Sequence, residues 1–388
     1  MARVRQRQKT VLKCQHPLLS MASAGGVIME APMPSISAIS EQVRRLAREH
    51  GFDLAGIAGV GPYPESEVFE PWIAEERHGE MSYLASRNDA GALKRAELKN
   101  AAPWARSVVV CAMNYNSSAP YSTHAGSNRE GWIARYAQGE VDYHDVLLPR
   151  LRTLEAAIAA LAPNEEPFRS WCYVDTGPVI ERVFAKYAGI GWIGKNTCIL
   201  NEQLGSWLFL GVILTNLALE PDLPATDRCG SCTRCLDACP TNAFVGPHQL
   251  DATKCISYLT IEKRGPIPEE LRTGIGRHLF GCDICQDVCP WNRKAPVGTV
   301  PEFQPKEERV NPPLRELAEM DVDQYREFVQ KSPIKRTKWV GFRRNLAVAI
   351  GNNGDLELLA TAEKLAADED PLVAEHGRWA VEQLRKIF

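Results

Sequence analysis

Eight of the chain's twelve cysteines crowd into one stretch, as Cys229-x2-Cys232-x2-Cys235-x3-Cys239-Pro240, then Cys255, a long gap, and Cys282-x2-Cys285-x3-Cys289-Pro290. Two-residue spacers let a backbone curl around three corners of a cubane iron–sulfur cluster. A fourth cysteine just before proline is carried by the turn to a second cluster. The spacing therefore assigns Cys229, Cys232, Cys235 and Cys289 to one [4Fe–4S] cluster. Cys239, Cys255, Cys282 and Cys285 fall to the other, with Cys255 standing in for the usual first cysteine and residues 256–281 an insertion. Zinc is the alternative, but a structural zinc site needs two C-x-x-C pairs making one tetrahedral set, not a repeated three-plus-one pattern.

The remaining cysteines, Cys14, Cys111, Cys172 and Cys198, are scattered. Together with the absence of a secretory pattern, this argues against a disulfide framework and for a reducing, cytoplasmic setting. Residues 1–35 hold a basic start (Arg3, Arg5, Arg7, Lys9, Lys13) and a Met/Pro/Ser/Ala-rich stretch, but no continuous apolar segment and no adjacent arginine pair. They read as a disordered tail or an over-long start, with Met21, Met29 and Met33 as alternative initiators. No apolar run is long enough to span a bilayer, so no membrane partner is expected. The net charge of −3 gives no global reason for a polyanion partner, so nucleic-acid binding would need a local basic surface.

From Ile36 to Leu219 helical and strand patterns alternate. Helices are expected at 35–50, 147–161 and 179–188, and strands at 53–59, 108–113, 171–174 and 208–214, which predicts an α/β domain with a covered sheet. A Pro-rich linker follows the cysteine region. The rest reads as all-helical, at 314–320, 322–329, 343–350, 356–366 and 371–387, with Asp370-Pro371 opening the last helix. Paired short helices of this kind resemble HEAT-like repeats.

Two further features carry chemistry. Gly189-Ile-Gly-Trp-Ile-Gly194-Lys195-Asn196 is glycine-rich but follows a helix rather than a strand, which is the wrong context for a nicotinamide or flavin fingerprint. It remains either an anion- or cofactor-binding loop or a plain turn. The segment 331–344 carries Lys331, Lys335, Arg336, Lys338, Arg343 and Arg344, with Trp339 and Phe342 among them and no acidic residue. Phosphate neutralisation with base stacking and a merely solvated helix face are equally good readings from composition alone.

Several ordered motifs make the chain resemble the epoxyqueuosine reductase family. They are Asp142-Tyr-His144, Val174-Asp175-Thr-Gly-Pro-Val-Ile-Glu-Arg182, Ala188–Asn196, Gly205-Ser-Trp207, Cys255–Glu262 and Gly281–Asn292. The resemblance runs from about residue 36 to the C-terminus. It implies an α/β N-terminal cobalamin-binding domain (36–220), a bacterial two-[4Fe–4S] ferredoxin-like domain (221–295) and an all-α HEAT-like C-terminal domain (296–388). It implies reduction of epoxyqueuosine to queuosine at the wobble position of tRNA anticodons, with electrons passing through both clusters to cobalamin.

The family's proton donor falls on Asp175, with Asp142 as the runner-up acid and a candidate cofactor contact. Asp142-Tyr-His144 begins like a D-x-H-x-x-G cobalamin signature, but Leu147 stands where glycine should be. Cobalamin is therefore expected base-off, without His144 on cobalt. Lys195, Asn196, Ser257 and Tyr258 are the further cofactor candidates, and Lys335, Arg336, Lys338, Arg343 and Arg344 the tRNA contacts. A flavodoxin or ferredoxin electron donor and a monomeric state complete the expectation. The rivals are a cobalamin-dependent reductive dehalogenase, which the missing twin-arginine signal and the basic C-terminal helices count against, and a non-catalytic electron carrier, which the large flanking domains disfavour.

Overall fold

Four hydrophobic strands form the centre of the α/β region in a computed structural model that describes residues 35–124, 126–163 and 166–386. The expectation for the N-terminal tail, up to Pro34, lies outside the described residues. The strands run in the order Leu54–Ala58, Ser107–Asn114, Leu208–Thr215 and Ser170–Tyr173, each antiparallel to its neighbour. All eight residues of Ser107–Asn114 are buried. Val109, Cys111 and Met113 face one apolar cluster, and Val108, Val110 and Ala112 face another. Cover on both faces is why this strand reads as an unbroken apolar run rather than an alternating one.

The helices Ile36–Glu49 and Tyr143–Ala159 cover the first face, and Glu181–Tyr187 packs on the second. Ser35 starts the first helix by accepting a hydrogen bond from the Ala38 N–H (3.2 Å). Gly211 sets how close the long helix comes. A Cβ there would stand 2.6 Å from Leu151 Cδ1, so a larger residue would push away the helix that begins with Tyr143.

After this sheet, the cysteine segment holds only short elements, including the single-turn helices Arg234–Asp237 and Ile284–Asp287, which pack on each other. The insertion after Cys255 folds as helices Ile256–Ile261 and Glu269–Ile275 and the strand His278–Phe280. That strand pairs in parallel with Trp132–Ile133, tying the insertion to the chain before the long helix.

The C-terminal part is helical as expected, but its central helix spans Lys338–Gly351 and so starts earlier than the sequence pattern suggested. It packs against Pro371–Arg385, which packs against Leu359–Ala366. Asp370 caps the last helix by accepting from the Leu372 N–H (2.9 Å), with Pro371 at the first helical position. Gly377 lets the last two helices touch backbone to backbone, since a Cβ there would lie 2.3 Å from Ala366 N. From Ser35 onward the described residues form one compact unit. No described helix is long and apolar enough to cross a membrane.

Candidate functional site

The eight clustered cysteines are brought into two sets. Burial pushes the Cys289 thiol up to about 11, and the neighbouring Cys235 and Cys229 add to the shift. Burial likewise pushes Cys282 well up, with Cys255 and Cys239 contributing. Cys289 thus lies near the first run, and Cys239 near Cys282 and Cys255. Thiols crowded so that each opposes ionisation of the next are held as thiolates only against a strong local positive charge, such as clustered iron supplies. The donor set therefore fits two iron–sulfur clusters. Cys255 is placed by the local fold: it is the residue immediately before helix Ile256–Ile261, and Ser257 hydrogen-bonds to its sulfur from the first turn.

The glycine-rich loop serves these cysteines directly. Lys195 Nζ donates to the carbonyls of Gly230 (2.7 Å) and Cys232 (2.9 Å). Asn196 is buried, donates to the Cys285 carbonyl (3.3 Å) and accepts from the Cys198 N–H (3.2 Å). Both side chains are thus committed to the cysteine loops, and what the loop can offer a large planar cofactor is its backbone edge. Tyr258 takes the core position that was the rival reading: it is buried, and its hydroxyl accepts from the Glu80 N–H (2.8 Å). Ser257 stays half-buried beside Cys255, and Lys195 is likewise only partly buried, its amine spent on the Gly230 and Cys232 carbonyls. What these four residues leave for a corrinoid is the Ser257 hydroxyl and the loop backbone, not a ring of side-chain donors.

Asp175 sits just beyond the strand Ser170–Tyr173, exposed, with φ of 56°. That left-handed conformation is uncommon outside glycine, and such strain gathers at functional positions. Its carboxylate accepts a hydrogen bond from the Tyr143 hydroxyl. Tyr143 lies flat on Phe209 (4.3 Å between centroids), and burial, then the Asp175 charge, hold its phenol well above the usual range. Tyr136 stands edge-on to Tyr143 (6.1 Å) and tilted against Phe280 (5.9 Å). An aromatic path thus joins the exposed acid to the strand that leads into Cys282.

Asp142, the runner-up acid, has another job. It caps the long helix, accepts from His144 Nδ1 (2.8 Å) and pairs with Lys335 (2.9 Å). Burial opposes its ionisation, but the His144 and Lys335 bonds outweigh burial and bring the carboxyl down to about 2. A carboxylate held that firmly ionised is a poor proton donor at neutral pH.

The basic segment divides. Arg344 is fully buried, which overturns its reading as a phosphate contact. Its guanidinium donates to the carbonyls of Leu259 (2.7 Å), Lys263 (2.8 Å) and Gly265 (2.9 Å), at and beyond the end of the helix that follows Cys255. Phe342 is also buried and so is no stacking platform. Arg343 is partly exposed, bridges Asp368 and lies over Trp339 (5.1 Å). Those three residues line an open groove of about 390 Å³. Arg336 pairs with Glu262 (2.7 Å). Lys338 is exposed, in an unusual backbone conformation (φ 65°), and pairs with no acid among the described residues.

Tyr143, Glu181 and Cys198 received no role from the sequence. Tyr143 and Glu181 both stood inside quoted motifs; the fold brings the Tyr143 hydroxyl to Asp175 and leaves Glu181 Oε1 buried without a hydrogen-bond partner. Cys198, four residues after the glycine loop's last glycine, reaches the Cys285 thiol.

Comparison with known proteins extends these observations. Residues 228–292 match the model of a 4Fe-4S double cluster binding domain, and residues 95–176 that of Epoxyqueuosine reductase QueG, DUF1730. The epoxyqueuosine reductase of Xanthomonas campestris pv. campestris is 39% identical over 361 residues, covering 92% of this chain and 98% of that one. The Escherichia coli K12 enzyme of the same name is 36% identical over 358 residues, covering 92% of each. A crystal structure of epoxyqueuosine reductase with an epoxyqueuosine-modified tRNA-Tyr stem loop superposes with a TM-score of 0.76 at 32% identity, covering 90% of this chain and 91% of that one. The Streptococcus thermophilus epoxyqueuosine reductase gives 0.77 at 28% identity, covering 89% and 90%.

Proposed function

The chain belongs to the epoxyqueuosine reductase family, and from that premise we propose how its own residues carry out the reaction. The protein reduces epoxyqueuosine to queuosine in tRNA, drawing electrons through its double-cluster domain. Removing an epoxide oxygen takes two electrons and two protons and releases water. When bound, the two clusters supply single electrons, and base-off cobalamin supplies a metal centre able to couple them in pairs.

Cys229, Cys232, Cys235 and Cys289 hold one cluster, and Cys239, Cys255, Cys282 and Cys285 the other. Lys195 and Asn196 brace the cysteine loops, while Ser257 and the backbone of the 194–196 loop form the wall that meets cobalamin. His144 is engaged by Asp142 and leans on Tyr143 (4.1 Å), which supports its not serving as a cobalt ligand.

Asp175 gives the proton that lets the epoxide oxygen leave. The observation that carries this reading is an exposed, left-handed acid, oriented by the Tyr143 hydroxyl and joined to the Cys282 strand through Tyr143, Tyr136 and Phe280. Tyr143 points the carboxyl and leaves one oxygen for substrate. The tRNA lies across Lys338, Lys335, Arg336 and Arg343, whose positive charges face phosphate. The C-terminal helices act as a HEAT-like platform for it, the enzyme works as a cytoplasmic monomer, and a flavodoxin or ferredoxin feeds the clusters.

The test is turnover of epoxyqueuosine-bearing tRNA under a strong reductant. Asp175→Asn keeps the size and the Tyr143 contact but removes the acidic proton, and turnover should fall on the order of a hundredfold or more. Full turnover in this variant would remove Asp175 from the mechanism.

A further inference from the structure

Among the described residues Tyr83 is the one exposed aromatic side chain, at 44%. The turn that carries it, Ser82–Ala85, is pinned on both sides of the tyrosine. Met81 packs on the core that includes the C-terminal helices, and Leu84 packs beside Ile73, Leu93 and Ala96. Two arginines flank the ring. Arg95 donates to the Tyr83 carbonyl (2.9 Å) and, from its other terminal nitrogen, to the carbonyl of Gly177 (2.6 Å), two residues past Asp175. Arg336, in the basic segment, donates to the Tyr83 hydroxyl (3.4 Å) and is fixed by Glu262 (2.7 Å). One arginine thus ties Tyr83 to the turn of the acid, and the other ties it to the segment that meets phosphate. Both guanidinium carbons lie over the ring, but at 5.7 and 5.8 Å from its centroid, whereas Arg169 closes to 4.4 Å over Trp104. The pair stands off, and the ring keeps its accessible surface.

We propose that Tyr83, with Arg95 and Arg336 beside it, is the stacking platform for the base next to the epoxide-bearing nucleoside of the tRNA. The inference deepens the tRNA reading above and rests on it. With the reacting nucleoside at Asp175 and the phosphates at Arg336 and Lys338, the nucleotide between them passes Tyr83. A nucleoside drawn out of an anticodon loop leaves the base beside it without a stacking partner. Proteins replace that partner with an aromatic ring or an arginine plane. Such stacking tolerates any sequence, because every base has a π-face.

The experiment uses the fully loaded enzyme without reductant. Its probe is an epoxyqueuosine-bearing anticodon stem loop with 2-aminopurine on one side, then the other, of the modified nucleoside. Bound to wild type, one of the two probes should be quenched. In Tyr83→Leu, which keeps apolar bulk without the ring, that probe should brighten several-fold and Kd should rise on the order of tenfold. Tyr83→Phe keeps the ring and should match wild type in both. Tyr83→Leu removes no charge, so the slope of log affinity against log salt should stay the same, whereas Arg336→Gln should lower it by about 1.

If Tyr83→Leu binds like wild type with the probe still quenched, while Lys338→Glu weakens binding, the platform is wrong and the tRNA surface stands. Weaker binding in Tyr83→Leu with a quenched probe and a lowered unfolding midpoint makes Tyr83 a structural brace and also overturns the platform. Wild-type affinity at low salt in both Tyr83→Leu and Lys338→Glu overturns both readings.

Discussion

The cysteine segment and the basic segment 331–344 both advertise their chemistry in plain sequence, yet only the first survives folding intact. Cluster ligands are constrained by covalent spacing: two residues between thiols either wrap a cubane or do not, whatever the rest of the chain does. A run of positive charge carries no such constraint. Neighbours on a helix point about 100° apart, so Arg343 and Arg344, adjacent in sequence, separate into a partly exposed side chain and a fully buried one. Spacing encodes geometry, whereas composition encodes only a tendency that tertiary packing can override.

Cys255 is where that comparison can be broken most sharply, because it is the one ligand that departs from the regular spacing. Cys255→Ser should lose the second cluster, with iron and acid-labile sulfide falling by about half, and turnover should be abolished. Cys198→Ser, at the neighbouring thiol that reaches Cys285, should keep full iron. If Cys255→Ser retained all its iron while Cys198→Ser lost it, the insertion after Cys255 would not belong to the cluster motif at all.

Much of the fold was legible for the same reason the cysteines were. All four strands of the central sheet lie within a residue or two of where the sequence pattern placed them, and Ser107–Asn114 reads as one apolar run because it is covered on both faces. The antiparallel order of those strands was not legible, since pairing is decided by distant partners rather than by local pattern. The site divides along the same line. Asp175 was found through a motif, but its Tyr143 partner lies thirty-two residues away in sequence, and no periodicity links them. Lys195, Asn196 and Tyr258 were singled out as cofactor contacts, yet they spend their side chains on protein carbonyls and amides. Sequence shows that such a residue is polar and near. It does not show which partner claims it.

Arg344 tests whether a buried cation in a basic run is structural. Arg344→Ala would leave the Leu259, Lys263 and Gly265 carbonyls without their donor, at the end of the helix that begins beside Cys255. The expected loss is about 3 kcal/mol of stability, measured by denaturant unfolding, with a lowered retention of the second cluster. The affinity of the remaining folded protein for a tRNA anticodon stem loop should be unchanged. A selective loss of tRNA affinity at full stability would return Arg344 to the interface.

Lys338 and Arg343 supply the smaller, opposite signature. Charge reversal at either should leave stability nearly untouched but weaken tRNA binding, and the slope of log affinity against log salt should fall by about 1 for each phosphate contact removed. Lys338→Glu should have the larger effect, because Lys338 is exposed without an acid partner among the described residues. The Arg343 charge is already shared with Asp368. Anisotropy titrations of a fluorescent stem loop across a salt series give both slopes. Unchanged affinity at low salt in Lys338→Glu would mean that this stretch of charge is only a solvated helix start, and that tRNA is gripped elsewhere on the molecule.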